Sequence, residues 1–404
     1  MIEQVGQGRM LAGLEQTTLS VRRSAGVLLL LVAPALVALD STGARAQADG
    51  GTRAIAPDGR PDGQVSDGSE EVRQAEQTQR EEGEAILALA DAAMAGKPVP
   101  SDFALAWQND FVKAQRGTFV PFTLSADASR LTRRSALVYV RAVRRTATAD
   151  RKRQDRRPAD RDEAEYPVDA IFPVELVSGA ASRIHRGFSV PPGEYDVYVV
   201  MRERVEPGAP RVRPKAAVLR RPLSVPDFGA NELTTSSVIV ADRLHVLAEP
   251  VPADQLAERP YAIGRNEITP AADREFRRDE ELIVVFLVYN PMVTAERQFD
   301  IRVEYHFYRK ATDGGTGTAG TAPGAHPPAR DGERYFNRTD PQRFNQALMG
   351  AAFNPESGEP IMAGQVVPLA GFDIGEYRLD VQVIDLLSGK SVSRDVVFKV
   401  VSEL

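Results

Sequence analysis

Very few residue types in this sequence could carry catalytic or metal chemistry. The 404 residues contain no cysteine, which excludes thiol nucleophiles, iron–sulfur clusters, thiolate zinc sites and disulfides. The four histidines occur singly, without the close spacing of a helical metal site: His185, His245, His306 and His326. The sequence therefore predicts no catalytic residue set, no metal and no cofactor.

A phosphate-binding motif is present only in part. Ser388-Gly389-Lys390-Ser391 matches the end of a P-loop, but the first glycine of that motif would fall on Ile384. The segment also joins two runs of strand character, whereas a P-loop leads from a strand into a helix. We interpret it as a hairpin turn.

Carboxylates are abundant, and two of them facing a cleft are enough for glycoside hydrolysis. The chain has 56 acidic residues, and the sequence does not show which of them meet in space. A carbohydrate- or peptidoglycan-binding or -active protein, with a cleft between two domains near 226–234, is therefore an open alternative. The single tryptophan, Trp107, does not favour a sugar cleft because it belongs to an apolar stripe.

The densest basic run offers a candidate surface for an anionic partner. Residues 141–165 carry 9 basic and 6 acidic residues, with no aromatic before Tyr166. This mixed charge favours a solvated loop, and the missing aromatics argue against nucleic-acid binding. The candidate partner-binding residues of this run are Arg151, Lys152, Arg153, Arg156 and Arg157.

An aromatic segment at 333–360 is the second candidate partner-binding surface. Tyr335, Phe336 and Phe344 would form an exposed patch if this segment covers one end of a domain. The competing interpretation is an extra strand and a short helix whose apolar side chains pack on the core.

The amino terminus has the three parts of a secretory signal. Arg22 and Arg23 precede an apolar run, and an Ala-x-Ala site predicts cleavage after Ala46. The run, 25–39, is shorter than the roughly 20 residues that span a bilayer, which disfavours an uncleaved anchor. The sequence thus predicts that residues 1–46 are a signal peptide. It predicts a periplasmic or secreted protein with no membrane span after cleavage.

Charge is distributed unevenly along the remaining chain. Residues 47–68, rich in Gly, Asp and Pro, are predicted to form a disordered acidic linker. Residues 47–91 carry 11 acidic and 4 basic residues, a net charge of −7, and residues 1–46 carry 4 basic and 3 acidic residues. Since the whole chain has a formal net charge of −6, residues 92–404 are neutral overall. A neutral body argues against a protein that coats nucleic acid.

A helical segment is predicted over 69–116. A capping box at 67–70 begins it, and an apolar stripe at helical spacing continues to Met94, shortly before a glycine and a proline. Three aromatic residues at one-turn spacing then predict a second short helix over 103–114: Phe103, Trp107 and Phe111.

Beyond Gly117 the apolar period changes from 3.6 to 2, which indicates strands separated by Gly, Pro and Asp turns. Short strands with little helix between them favour antiparallel sandwiches over a parallel α/β sheet. The predicted strands are 119–124, 136–143, 171–177, 197–201, 217–225, 237–247, 281–289, 299–308, 377–384 and 392–401.

The tripeptide Gly-Glu-Tyr occurs twice, 182 residues apart, and each copy leads into one of these strands. In each copy glycine permits a tight turn, and the tyrosine hydroxyl can bond back to the preceding backbone. This is the tyrosine corner of immunoglobulin- and fibronectin-like domains. A structural role is therefore predicted for Gly193 and Tyr195 in one copy and for Gly375 and Tyr377 in the other. The runs 136–143 and 282–289 are interpreted as equivalent strands upstream.

The predicted fold class is mainly β, with two tandem immunoglobulin- or fibronectin-like antiparallel β-sandwiches after the helical segment. The first sandwich domain is placed at 117–228 and the second at 232–404. The join at 226–233 is short, so contact between the domains is expected. A Gly- and Thr-rich stretch, 311–332, is predicted to be a mobile loop of the second domain.

Two short motifs carry a family resemblance over roughly 100–404. Asn109–Gln115, followed by Phe-Val-Pro-Phe-Thr at 119–123, resembles exported β-sandwich proteins of Acidobacteria-like bacteria. The second half, with Asn266–Pro270 before a long apolar strand, is similar to the β-sandwich part of GWxTD-domain proteins, although the GWxTD signature itself does not occur. The resemblance implies a location outside the cytoplasm and supplies no catalytic residue.

The sequence therefore favours an exported, non-enzymatic β-sandwich protein that acts as a protein-interaction or envelope-associated module. Its expected partner is an envelope protein, bound through sheet edges or end loops, and no nucleic-acid partner is expected. The oligomeric state is left open.

Overall fold

The computed structural model describes residues 67–145, 166–176, 181–205, 212–311 and 327–402, and these residues form a mainly β protein. The predicted signal peptide, all but the end of the acidic linker, and 312–326 of the predicted mobile loop lie outside the described residues.

The first element of the described residues is a long helix, α1 (Asp67–Met94), as the capping box predicts. It ends just before Gly96, whose φ of +67° turns the chain away in a left-handed conformation. Ile86 and Ala90, one turn apart, are fully buried on the first sandwich. Only one side of the helix is apolar, so this stripe determines which face packs.

The described residues of the first sandwich form eight strands. They are β1 (Leu105–Asn109), β2 (Val112–Lys113), β3 (Thr118–Asp127), β4 (Ser135–Arg144), β5 (Val168–Glu175), β6 (Ala181–Val190), β7 (Gly193–Glu203) and β8 (Ala216–Val225). One sheet contains β3 with β1, β2 and β6 beside it, and the other has the order β5-β4-β7-β8. All of these pairs are antiparallel, and the inward side chains of both sheets form one core.

The helix predicted over 103–114 is wrong, since this segment forms β1 and β2. Phe103, Leu105 and Trp107 alternate, and all three pack on the core of the first sandwich. Trp107 stacks on Phe122 with ring centroids 4.0 Å apart. The same aromatic residues fit a spacing of four and a spacing of two, and pairing of β1 with β3 decides in favour of the strand.

In the second sandwich, the part of the chain that the structure describes forms twelve strands and a short helix. They are β9 (Thr234–Thr235), β10 (Ile239–Val246), β11 (Ala262–Ile263), β12 (Asn266–Pro270), β13 (Glu275–Arg277), β14 (Glu281–Tyr289), β15 (Asp300–Lys310), β16 (Glu333–Arg338), β17 (Gln342–Asn345), α2 (Gln346–Met349), β18 (Ile361–Pro368), β19 (Gly375–Asp385) and β20 (Ser391–Val401). The first sheet has the order β11-β12-β10-β14-β18, with β9 also on β14. The second has the order β13-β20-β19-β15-β16, with β17 also on β15.

The two sandwiches share one plan, which confirms the fold class. In each, the Gly-Glu-Tyr strand lies between two antiparallel neighbours: β7 between β4 and β8, and β19 between β15 and β20. The strand equivalent to β4 is therefore β15, and the equivalence predicted between 136–143 and 282–289 is wrong. Both runs are apolar, but β14 lies in the other sheet, where it pairs with β18 as β3 pairs with β6.

β14 is buried on both faces, which explains its uninterrupted apolar sequence. Leu282, Val284 and Phe286 face the core of the second sandwich, whereas Val285 and Leu287 face the first sandwich. On that side they share a cluster with residues of β2, β3 and β10. The contact expected between the domains is thus confirmed, and it is made by the outer face of a sheet.

Candidate protein-binding surface

One end of the second sandwich is organised around the carboxylate of Asp385, which is 1% exposed. Its Oδ2 accepts the backbone N–H of Met292 at 2.7 Å. Its Oδ1 accepts the N–H groups of Leu387 and Ser388 at 3.0 and 3.2 Å. A charged acceptor that satisfies three loop donors fixes both the β14–β15 connection and the β19–β20 hairpin.

The segment after β17 is attached to the same end. The N–H of Leu386 donates to the carbonyl oxygen of Asp300 at 2.9 Å, and Asp300 lies opposite Asn345 in the ladder of β15 and β17. The Asn345 side chain accepts the N–H of Leu348 at 3.0 Å and so caps α2.

Four large apolar side chains are exposed on these three connections. Met292 is 47% exposed, Leu348 45%, Leu386 37% and Leu387 41%. We call these four residues the apolar pole. Exposed apolar groups that gather on fixed loops are typical of protein-binding sites, because covering one such side chain completely contributes roughly 1.5–3 kcal/mol.

The apolar pole is not among the surfaces predicted from the sequence, although one sequence signal points to it. Leu386 and Leu387 directly precede the Ser-Gly-Lys turn, where polar residues normally occur. The hairpin itself is confirmed, with Gly389 at a φ of +70°.

The predicted aromatic patch is largely internal. Phe344 is 6% exposed and belongs to the core, so its assignment to a partner-facing surface is wrong. Phe336 is half-buried and packs on Phe372 and Tyr377, with centroids 4.8 and 5.2 Å apart. Tyr335 is half-buried and meets Tyr308 edge-on. The competing interpretation, an extra strand and a short helix on the core, matches β16, β17 and α2.

The candidate residues of the basic run, Arg151 to Arg157, lie outside the described residues. Of the three arginines that precede them, two form ion pairs, and Arg144 donates to the carbonyl oxygen of Pro192. Arg141 contacts Asp91 and Asp169 at 3.2 and 3.1 Å, and Arg145 contacts Asp196 at 2.7 Å. These pairs neutralise the beginning of the run, so this part of it offers no free basic patch.

Both tyrosine corners are confirmed. Tyr195 donates its hydroxyl to the carbonyl oxygen of Pro191 at 2.8 Å, and Tyr377 donates to that of Asp373 at 2.9 Å. Gly193 has a φ of +145° and Gly375 a φ of +156°. A Cβ added at either glycine would lie close to an arginine side chain, at 3.1 Å for Gly193 and 3.2 Å for Gly375.

The arginine beside each tyrosine corner is also part of the repeat, and it was not predicted from the sequence. Arg144 lies opposite Tyr195 and Arg309 lies opposite Tyr377 in the strand ladders. Each guanidinium donates to the carbonyl just before the glycine, at 2.9 Å. Each also lies 5.9 Å from the tyrosine ring centroid. Their spacing to the tyrosine differs between the copies, so a fixed offset could not reveal them.

A network of buried charges covers the outer face of the second sandwich. The guanidinium of Arg378 contacts Glu333 at 2.7 Å and Asp380 at 2.9 Å, and lies 4.2 Å from the ring centroid of Tyr308. Burial works to raise the pKa of Glu333, but the hydrogen bonds from Arg378 bring it below its ordinary value. The pKa of Asp380 is raised by burial. Because the Arg378 side chain is only 3% exposed, we interpret this network as part of the folded structure and not as a binding site.

The interface between the sandwiches contains one buried carboxylate, Asp110, which is 3% exposed. The Tyr261 hydroxyl donates to its Oδ2 at 3.3 Å. Burial raises the pKa of Asp110 to about 6, against a lowering influence of Arg274. Burial also raises the pKa of Tyr261.

The join between the domains contributes one buried aromatic side chain to the interface. Phe228 is buried against Tyr289 with ring centroids 5.6 Å apart. The residues on either side of it, Asp227 and 229–232, are exposed.

Within the described residues, no group of three or more His, Asp or Glu side chains could hold a metal ion. His185, His245 and His306 lie on β6, β10 and β15, and His326 is outside the described residues. No helix in the described part of the chain is both long and apolar enough to cross a bilayer.

No family model and no curated protein matches the chain. Among solved structures it is similar to Escherichia coli alpha-2-macroglobulin activated by porcine elastase, at 12% identity and a TM-score of 0.19, over 75% of this chain and 24% of that one. It is also similar to Salmonella alpha-2-macroglobulin reacted with methylamine, at 14% identity and a TM-score of 0.18, over 75% of this chain and 17% of that one. The chain thus spans a quarter or less of these proteins, and the similarity concerns the fold alone.

Proposed function

We propose that this chain is an exported, non-enzymatic module that binds an envelope protein through the apolar pole of its second sandwich. The observation that carries the proposal is the exposure of Met292, Leu348, Leu386 and Leu387 on connections that Asp385 and Asp300 hold in place. A fixed apolar surface binds at a low entropic cost, because its loops are already ordered before the partner arrives.

Export and an envelope location are part of the proposal. They are supported by the signal-like sequence of residues 1–46 and by the resemblance to exported β-sandwich proteins. The acidic segment that follows would act as a tether between the sandwiches and the envelope.

The helix itself belongs to the folded body and is not part of the tether. Ile86 and Ala90 are buried on Tyr139 and Val200, and Arg204 pairs with the buried Glu82 at 3.3 Å. A deletion that tests the tether should therefore stop before α1 and remove residues 47–66 only. We expect it to leave a cooperatively unfolding protein that is released from the envelope fraction.

Capture from an envelope extract of the source bacterium tests the apolar pole. We expect the immobilised native protein to retain a defined protein, and the double variant Leu386→Asp, Leu387→Asp to lose at least tenfold of that signal. Ile374→Asp is the matched control, because Ile374 is 55% exposed and precedes β19, whereas Leu386 follows it. Equal capture by the double variant would refute binding through the pole.

A further inference from the structure

The two sandwiches differ at the free edge of one pair of equivalent strands, β8 in the first sandwich and β20 in the second. β8 and β20 are equivalent, because Val225 pairs with Gly193 and Val400 pairs with Gly375. Counting back three residues from each places Pro222 of β8 in the position of Val397 in β20. An unpaired strand edge is a template for a further strand, and proteins usually block it.

The edge of β8 is blocked at two places. At its start, Asp102 donates its N–H to the carbonyl of Ala216 at 3.0 Å and accepts the N–H of Ala216 at 2.9 Å. Ser101 forms a bridge to Ala217. Further along, Pro222 has no N–H to offer an incoming strand.

The edge of β20 is open over most of its length. β13 runs parallel to it but pairs only with residues 399–401. The N–H of Lys399 donates outward to the carbonyl of Arg274 at 2.9 Å. Because successive residues of a strand point their backbone groups to alternate sides, those of Ser393, Asp395 and Val397 also point outward. No other described strand pairs with this stretch, and Val397 is 42% exposed.

We propose that the edge of β20 at Ser391–Val397 binds an extended segment of another protein as an added antiparallel strand. The inference deepens the proposed function by naming the kind of partner segment. The site is continuous with the apolar pole, because the hairpin that carries Leu386 and Leu387 leads directly into Ser391.

The charges on the edge select the partner. Pairing with a second copy of β20 over the whole open stretch would place Arg394 opposite Arg394, and a shift by two residues toward Val397, which again aligns the outward N–H groups, would place Asp395 opposite Asp395. Like charges directly opposite each other destabilise a sheet. Asp395 is already paired with Arg330 at 2.7 Å. Arg394 has no ion pair among the described residues. Its guanidinium donates a hydrogen bond to the outward carbonyl oxygen of Ser393 at 3.1 Å. The partner strand therefore carries a carboxylate opposite Arg394.

Two synthetic peptides test the site on the full chain. The first is acetyl-Thr-Val-Thr-Glu-Thr-Val-Thr-amide, and the second has Lys in place of its Glu. We expect the Glu peptide to slow amide hydrogen exchange at Ser393, Asp395 and Val397, and to bind about fivefold more tightly than the Lys peptide in isothermal titration calorimetry. Arg394→Glu should reverse this preference.

Val397→Pro copies the native Pro222 and removes one outward N–H without touching the bonds to β19. It should abolish peptide binding while the circular dichroism spectrum is retained. Unchanged peptide binding in Val397→Pro, no exchange protection at millimolar peptide, or a dimer in analytical ultracentrifugation that Val397→Pro dissociates would each overturn the proposal. Failure of the apolar pole would instead appear as unaltered capture by the Leu386 and Leu387 variants.

Discussion

On the outer face of the first sandwich, α1 buries Ile86 and Ala90 against Tyr139 and Val200. On the corresponding face of the second, Arg378 bridges two carboxylates. Apolar packing is non-directional and tolerates small shifts, whereas a buried charge depends on each of its partners. The two sandwiches thus cover the same outer face in different ways, the first with apolar side chains and the second with a charged network. The charged cover is the more sensitive of the two to a single substitution.

The largest expected effect comes from breaking the charged cover. Arg378→Ala leaves Glu333 and Asp380 buried without their cation, so we expect it to lower the free energy of unfolding by about 4 kcal/mol. Ile86→Ala removes only packing and should cost about 2–3 kcal/mol. Urea unfolding followed by circular dichroism measures both. Trp107 lies in the first sandwich, so its fluorescence should shift more in Ile86→Ala than in Arg378→Ala. Equal costs in the two variants would erase the distinction between the covers.

A smaller effect is expected where the two sandwiches meet. The raised pKa of Asp110 means that the folded protein binds this proton more tightly than the unfolded chain. Its stabilisation is complete below about pH 4 and is lost as the pH rises through about 6, up to roughly 3 kcal/mol. Asp110→Asn should therefore be more stable than the native protein at pH 7 and equal to it near pH 4.

Urea midpoints between pH 4 and 7 give this difference. His185 near Tyr261 has a lowered pKa because of burial, and its contribution has the opposite sign. The native-minus-variant difference removes that contribution, because His185 is present in both proteins. A difference that does not vary with pH would contradict the assignment to Asp110.

The smallest effects should show that the sandwiches are alike where the repeat is retained. Tyr195→Phe and Tyr377→Phe each remove one hydroxyl that donates to a backbone carbonyl. We expect each to cost about 1 kcal/mol. Thermal unfolding of both variants checks this, and costs that differ by several-fold would mean that the two corners are not equivalent.

The sequence was sufficient for features that depend on local chemistry. Alternation and turn residues predicted the sandwiches, and the Gly-Glu-Tyr repeat predicted both corners. Trp107 was misassigned because its neighbours satisfy two periods, and only pairing with β3 distinguishes them. Phe344 was misplaced because its burial depends on a core assembled from distant strands.

The candidate site was less accessible to sequence reasoning. Asp385 is one of many acidic residues, and its role depends on loops about 90 residues apart in the chain meeting at one end. The open edge of β20 appears only when its register is compared with that of β8, since neither Val397 nor Pro222 is unusual by itself.

The two-sided burial of β14 also has a consequence for biosynthesis. The first sandwich is complete in the nascent chain before β14 leaves the ribosome, and domains generally fold in that order. Until then Val112 and Phe119, which pack against the β14 sheet in the finished protein, lack their contacts with Val285 and Leu287. Once β14 has been synthesised, Val285 and Leu287 can pack directly against the folded first sandwich. The first sandwich thus serves as a template on which the second is laid down, and a chain that stops before β14 leaves that template uncovered.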